Sequence, residues 1–295
     1  MHLTTDHYFS IGEQHLRLGK PCQDYALSGN FEKMAYAIVS DGCSSGAHTD
    51  IGARFTALAA ALAIKNQWAK TKQIFFGNAA GEIDIQQNII LHGTYHMLGL
   101  RPEDMLATSL WACASQEGVL FHALGDGVMA WKSKNGSIIM EKLEWALNAP
   151  LYPIYGEDNF QTFIEFHGGN ANLHALTSEK WKYAPTSGYE PLGKNKFSIA
   201  EGIQGISKVF GKAKIDAEEI EFIAIFSDGV AQIENMDWKE VVLELLSFKN
   251  TAGSFVKRRT ISFLKKDGKA IDDLACAVIR IEKNRAQEDI CQEHD

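Results

Sequence analysis

The sequence predicts an α+β domain of antiparallel sheets with helices outside. Three observations carry this reading: the strand-like segments come in hairpins, long helices separate groups of strands, and the single-strand, single-helix rhythm of a parallel sheet is missing. The first forty residues read as short strands, His7–Gly12, Asp24–Ser28 and Lys33–Val39, the last rising into Ser40-Asp41-Gly42. A Gly/Ser-rich turn follows, and Thr49 to about Lys70 is so rich in Ala and Leu that it reads as a long, largely buried helix. A second helix is expected over Ile83–Leu98, where Ile85, Ile89, Ile90 and Leu91 recur at helical spacing.

From Met105 to about Met140 the pattern returns to strands, with Gln116-Glu117-Gly118 and Ser133–Gly136 supplying hairpin turns. The stretch Glu144–Asp216, punctuated by prolines and glycines, reads as irregular and as a candidate flap that carries specificity. A strand begins at Glu221, helices are expected over Trp238–Leu246 and Ser254–Lys265, and Leu274–Ile281 is a final strand. Residues 1–282 are taken as one domain and the polar tail 283–295 as disordered.

Composition narrows the function. With 45% hydrophobic and 22% charged residues, the chain is an ordinary globular sequence with a sizeable core. A net charge of −8 gives no electrostatic reason for a nucleic-acid partner. The short Lys257-Arg258-Arg259 run reads as a solvated helix face. No apolar stretch is long enough for a membrane span, and the N-terminus has no basic-then-apolar leader pattern. Five widely spaced cysteines without a CxxC pair argue for a reducing, cytoplasmic setting and against structural zinc.

The chemistry-bearing signal is a repeated one. Three apolar strands run into an Asp-Gly pair, at Asp41-Gly42, Asp126-Gly127 and Asp228-Gly229, and a fourth strand is preceded by Asp272-Asp273. Any one Asp-Gly pair is usually a turn. Several acids at the ends of apolar strands are harder to explain that way, because carboxylates brought together repel and need a cation. Oxygen donors without Cys or His favour Mg²⁺ or Mn²⁺ over zinc, and such a cluster suits in-line hydrolysis of a phosphate ester by a metal-activated water.

The run Gly19-Lys20-Pro21-Cys22-Gln23-Asp24, then Ser40-Asp41-Gly42, Ala107-Thr108-Ser109-Leu110, Gly125-Asp126-Gly127, Ser227-Asp228-Gly229 and Asp272-Asp273 together resemble the metal-dependent protein phosphatase family (PPM, type 2C). The motifs stand in the family's order over residues 7 to 282. The resemblance implies an αββα sandwich, two packed antiparallel sheets flanked by helices, with metals at one end. It also implies a phosphoserine/phosphothreonine protein phosphatase with two Mn²⁺ or Mg²⁺ ions, a third and weaker ion in some members, and a phosphorylated protein as substrate.

Position by position, the resemblance makes Asp41 the carboxylate bridging both ions, with the Gly42 carbonyl on the second. Asp228 and Asp272 complete the first ion, Asp24 holds waters beside the second, and Asp126 joins Asp228 at the third. Asp273 stands where many relatives have Asn and is read as a supporting residue, and Thr108 as a structural hydroxyl. Two departures stand out. Gly19 occupies the position of the arginine that grips the substrate phosphate in many relatives, leaving Arg17 or Lys20 to do so. Gln23 replaces a common Glu and removes a negative charge beside the second ion.

Other residues rank lower. His92 and His96 form HxxxH, but no Glu follows His92, so an ordinary helix face is expected rather than a zinc site. His15 and His48 are read as water-ordering or packing residues, with proton donation as the sharper alternative. Cys22 and Cys43 read as small packing residues, and Trp111, Trp131 and Trp181 as core. Two further functions stay open: a catalytically weak member kept as a binding module, and a phosphatase of small phosphorylated metabolites.

Overall fold

The computed structural model describes residues 1–72, 78–156, 160–199, 205–211, 220–266 and 268–282. Its strands are β1 (His2–Ser10), β2 (Asp24–Phe31), β3 (Met34–Asp41), β4 (Ser109–Ser115), β5 (Gly118–Leu124), β6 (Gly127–Ser133), β7 (Ile138–Trp145), β8 (Ala175–Ala184), β9 (Gly188–Ser198), β10 (Ile206–Gly211), β11 (Ile220–Phe226) and β12 (Leu274–Glu282). They form a seven-stranded sheet in the order β1-β12-β11-β6-β7-β8-β9 and a five-stranded sheet in the order β10-β5-β4-β3-β2. Every neighbouring pair is antiparallel.

The alternation of side chains along each strand decides the layering. In β3, Ala35, Ala37 and Val39 face the other sheet, while Met34, Tyr36 and Ile38 face outward onto helices. In β11, Ile223 and Ile225 point between the sheets, and Phe222, Ala224 and Phe226 point away. The central core is thus built from the two inner faces, with Leu110 and Phe121 of one sheet packed with Trp131, Ala277 and Ile279 of the other.

Each outer face is closed by a helix pair. Helices α2 (Thr49–Thr71) and α3 (Ala79–Leu98) cover the five-stranded sheet, through Ala57, Ala60, Ile64, Trp68 and Ile83. The alanines of α2 favour helix and carry little bulk, which lets this long helix lie close to the sheet. Helices α5 (Trp238–Leu245) and α6 (Phe255–Lys266) cover the seven-stranded sheet through Val242, Leu245, Phe255 and Phe263. Here Arg259 pairs with Glu244 and Arg258 donates to the carbonyls of Asn250 and Ala252, so the basic run is spent within the fold. Among the described residues no helix is long and apolar enough to cross a membrane. The described cysteines, Cys22, Cys43, Cys113 and Cys276, are free thiols.

Three expectations are corrected. The stretch Glu144–Asp216 is not irregular throughout. It holds α4 (Phe160–Phe166), the long hairpin β8–β9 that extends the seven-stranded sheet, and the edge strand β10. Most side chains of β9 are exposed, and the register shifts opposite Pro191 and Gly193, so no in-out alternation betrays the strand. A flap reading therefore cannot apply to these strands, although residues 146–156 and 167–174 keep short turns and loops. Second, β1 begins at His2 rather than His7. Third, a helix, α1 (Glu13–Leu18), follows it; six residues are too few to display a helical period. The tail 283–295 and the positions 157–159, 200–204 and 212–219 lie outside the described residues.

Candidate metal centre

Antiparallel pairing gathers the acids at one end of the sandwich. Asp24 opens β2 directly opposite Asp41, which ends β3. Asp126 lies in the turn between β5 and β6, and Asp228 starts a short helical turn over Asp228–Ala231 just after β11. Since β11 pairs with both β6 and β12, the strand ends carrying Asp126, Asp228 and Asp272 are neighbours.

Neutral donors fix these carboxylates. The Ser227 hydroxyl donates to Asp24 Oδ2 at 2.6 Å and accepts the Ala275 N–H at 2.9 Å, joining one sheet to the other at the site. Thr108 locks Asp41 in place. Its Oγ1 accepts the Asp41 N–H at 2.9 Å, its own N–H donates to the Asp41 carbonyl at 2.8 Å, and its carbonyl accepts the Ser40 hydroxyl at 2.6 Å. This is the structural hydroxyl expected of Thr108. Gly42 bridges to Ala107 and donates to the Gln23 carbonyl. A side chain on Gly42 would meet the Thr49 carbonyl at 2.4 Å, so the backbone passes closer than any Cβ permits.

Asp272 and Asp273 divide the work between them. Asp273 is buried, and its carboxylate accepts from the Gly12 N–H at 2.7 Å and the Gln23 N–H at 2.6 Å, with His15 Nδ1 at 2.8 Å. It is a brace that ties β12 to the starts of α1 and β2. Asp272 turns the other way: the Gln232 amide donates to Asp272 Oδ2 at 3.3 Å and to Asp228 Oδ2 at 3.1 Å, holding the two carboxylates on either side of one donor. His15, Asp272 and Asp273 also form the group of ligand atoms closest to a metal-type spacing.

Burial and like charge act together here. Burial, and then the charges of Asp24, Asp228 and Asp126, pushes the Asp41 carboxyl well above the usual range. Burial does the same to Asp24, against the lowering effect of the Ser227 hydrogen bond and with the charges of Asp273 and Asp228 adding to the rise. Asp126 is raised to about 8 by burial and by Asp228. Asp228 is raised by burial, with Asp272 adding to the shift. Asp41 lies within hydrogen-bonding reach of both Asp24 and Asp228, at the middle of the set.

Among the described residues no basic side chain forms an ion pair with Asp24, Asp41, Asp126 or Asp228. Asp24 and Asp126 are buried and Asp41 and Asp228 half-buried, and carboxylates gathered this way without a cationic partner suit a hard divalent cation. Gln23 adds a second sign of fit. Its amide donates to Thr49 Oγ1 at 2.7 Å, but its buried Oε1 has no protein partner, a lone acceptor at the edge of the acid cluster.

The remaining candidates separate cleanly. Arg17 is 74% exposed and held by Glu13 at 2.8 Å, on the outer face of α1. Lys20 reaches the Ser44 carbonyl at 3.3 Å, on the rim of the loop after Gly42. His92 Nε2 donates to the Ile154 carbonyl at 3.1 Å and the ring contacts Tyr95, as an ordinary helix-face residue does. His48 precedes α2 without capping it, and the Cys22 thiol lies 3.5 Å from the Asp24 carbonyl. Trp111 and Trp131 are core residues, and Trp181 packs at the margin of the outer core. Sequence reasoning missed the bracing roles of Ser227, Gln232 and His15. Gln232 stands four residues after Asp228, a helical spacing that was available as a signal.

Two expected outcomes follow from this geometry. A Cβ on Gly229 would meet the Asp273 carbonyl oxygen at 1.8 Å. Gly229→Ala should displace the Asp272–Asp273 loop and weaken Mn²⁺ binding about 10–100-fold without touching a carboxylate, as supporting-shell changes do. Calorimetry giving wild-type affinity would refute this. The raised carboxyls also set a pH dependence. A folded-state pKa above the unfolded value means stability that is full below the unfolded value and is lost as pH rises through the folded one. With Asp126 raised from 3.8 to about 8, the melting temperature in EDTA should fall between about pH 4 and about pH 8 and level off above, and Mn²⁺ should flatten that slope. A slope unchanged by Mn²⁺ would count against the cluster as its cause.

Residues 11–145 match the protein phosphatase 2C family model, a span that includes Asp24, Asp41, Thr108 and Asp126. A search of curated proteins finds no significant match. Solved structures share the fold over nearly the whole chain. The serine/threonine phosphatase Stp1 from Staphylococcus aureus aligns with TM-score 0.54 and 11% identity, covering 96% of each chain. A serine/threonine phosphatase of S. agalactiae aligns with TM-score 0.51 and 13% identity, covering 95% of this chain and 100% of its own. The PP2C phosphatase domain, with a fragment of the regulatory domain, of SpoIIE from Bacillus subtilis gives TM-score 0.52 and 12% identity, covering 95% and 64%. Residues 11–145 thus match the protein phosphatase 2C family model, and the two antiparallel sheets with helices outside are the fold that the chain shares with these solved phosphatases.

Proposed function

We propose that this chain is a phosphoserine/phosphothreonine protein phosphatase whose residues 1–282 form one catalytic domain working with Mn²⁺ or Mg²⁺. The observation that carries the proposal is the position of Asp41, beside Asp24 and Asp228 in a largely buried acidic set that pairs with no basic side chain among the described residues. Asp41, the Gly42 carbonyl, Asp228 and Asp272 would hold two divalent ions, with Asp24, fixed by Ser227, as a further acid beside them. Asp126, with Asp228, would offer a third and weaker site. Bound divalent ions supply a nucleophilic water at neutral pH and neutralise the phosphoryl oxygens. The chain itself holds the carboxylates at fixed spacing, through Thr108, Ser227 and the Asp273 brace, so that little reorganisation accompanies reaction.

The test is hydrolysis of p-nitrophenyl phosphate and of a phosphothreonine peptide with Mn²⁺. EDTA should remove the activity, and Asp41→Asn or Asp228→Asn should lower kcat on the order of a thousandfold or more. Full activity in either variant would reject the mechanism. Competition between a phosphoprotein and small phosphorylated metabolites then separates the two substrate classes. Gln23 leaves the second ion with one acid fewer nearby, so a Mn²⁺ titration should resolve two unequal affinities; two equally tight sites would contradict that role for Gln23.

A further inference from the structure

A cleft of about 490 Å³ opens beside the acidic cluster, lined by Asp126, Asp228 and Gln232 together with Lys142, Glu144 and Trp145. That volume accommodates a phosphorylated side chain. A phosphate dianion entering it meets several carboxylates, so approach calls for positive charge on the protein as well as on the ions. In many relatives an arginine provides this, at the position held here by Gly19. Neither Arg17 nor Lys20 lines the cleft, and Arg17 is already held by Glu13. Among the residues that line it, Lys142 carries the single positive charge.

The geometry points to Lys142 as the side chain that engages the substrate phosphate, in the role left open by Gly19. This rests on the phosphatase reading above. Lys142 sits on β7 opposite Val128, one residue before Leu143, which pairs with Gly127 of the Asp126 turn. Its side chain is only 15% exposed, and the ammonium lies 5.6 Å from the Trp238 ring centroid. The buried stem holds the head group in place, so fewer rotamers are lost when an anion binds. Its polar partner among the described residues is Glu144, at 2.7 Å, whose side chain is 53% exposed. Glu144, the half-exposed partner, keeps the pair in contact with water, so a phosphate dianion can displace Glu144 toward solvent at small cost. Glu144 then acts as a resident competitor that keeps Lys142 in the cleft between turnovers.

The experiment compares wild type, Lys142→Met, Lys142→Arg and Glu144→Gln. Methionine keeps an apolar stem against Trp238 and removes the charge, and circular dichroism checks that each variant folds. With p-nitrophenyl phosphate and Mn²⁺, Lys142→Met should raise KM about tenfold with kcat little changed, the size expected for a charge-assisted hydrogen bond. Lys142→Arg should restore most of the loss, and Glu144→Gln should lower KM. In parallel, calorimetry with inorganic phosphate and the Mg²⁺-loaded protein should show the same weakening in Lys142→Met. If the wild type hydrolyses no phosphate ester, the functional reading fails, and the phosphate calorimetry still decides the role of Lys142. Unchanged phosphate affinity in Lys142→Met would overturn the assignment. So would a defect that arginine fails to rescue, or one seen with acidic phosphopeptides and not with p-nitrophenyl phosphate.

Discussion

The structure depends on one electrostatic constraint: several carboxylates of the same sign are held out of water at one end of a β-sandwich. Burial raises the energy of each charged form, and proximity raises it further. The metal-free protein meets this cost by favouring protonation, which is why Asp24, Asp41, Asp126 and Asp228 all shift upward. A divalent cation relieves the same tension with opposite charge, so metal binding and the integrity of this end of the fold are coupled.

The sandwich supplies the rigidity that the constraint requires. Residues on packed strand ends have little room to move apart, and the inner faces of both sheets are filled with aliphatic and aromatic side chains. The fixing contacts are made by neutral groups. Ser227 links Asp24 to the opposite sheet, Thr108 holds the backbone of Asp41, and the Gln232 amide stands between Asp228 and Asp272. A lysine or arginine in any of these places would neutralise a carboxylate needed for an ion. Asp273 shows the converse. With its oxygens occupied by Gly12, Gln23 and His15, it is spent on architecture and leaves Asp272 to face the cluster.

Positive charge reaches the same cleft from another strand. Lys142 lies on the outer face of the seven-stranded sheet, against Trp238, and lines the cleft together with Asp126 and Asp228. On the proposal made for Lys142, a phosphate entering this cleft meets both the acids' ions and a lysine, and the phosphate contact does not depend on position 19.

The sequence by itself determined the class of fold and the acids of the site. Apolar strands announce themselves by alternation, the Ala-rich helix Thr49–Thr71 by composition, and Asp41, Asp126, Asp228 and Asp272 by repeated placement at strand ends. These signals are local, and local patterns survive in one dimension. The tertiary structure decided whatever depends on partners distant in the chain. The polar hairpin β8–β9 has no strong apolar face to reveal it, and it exists because β7 offers an edge to pair with. Asp272 and Asp273 are adjacent and chemically identical, yet one faces the acids and the other is consumed by groups some 250 residues away in the chain, at |i−j| of 250 to 261. Ser227 and Gln232 gained their roles in the same way. Lys142 gained its own because the fold closed a cleft around it, which no spacing in the sequence records.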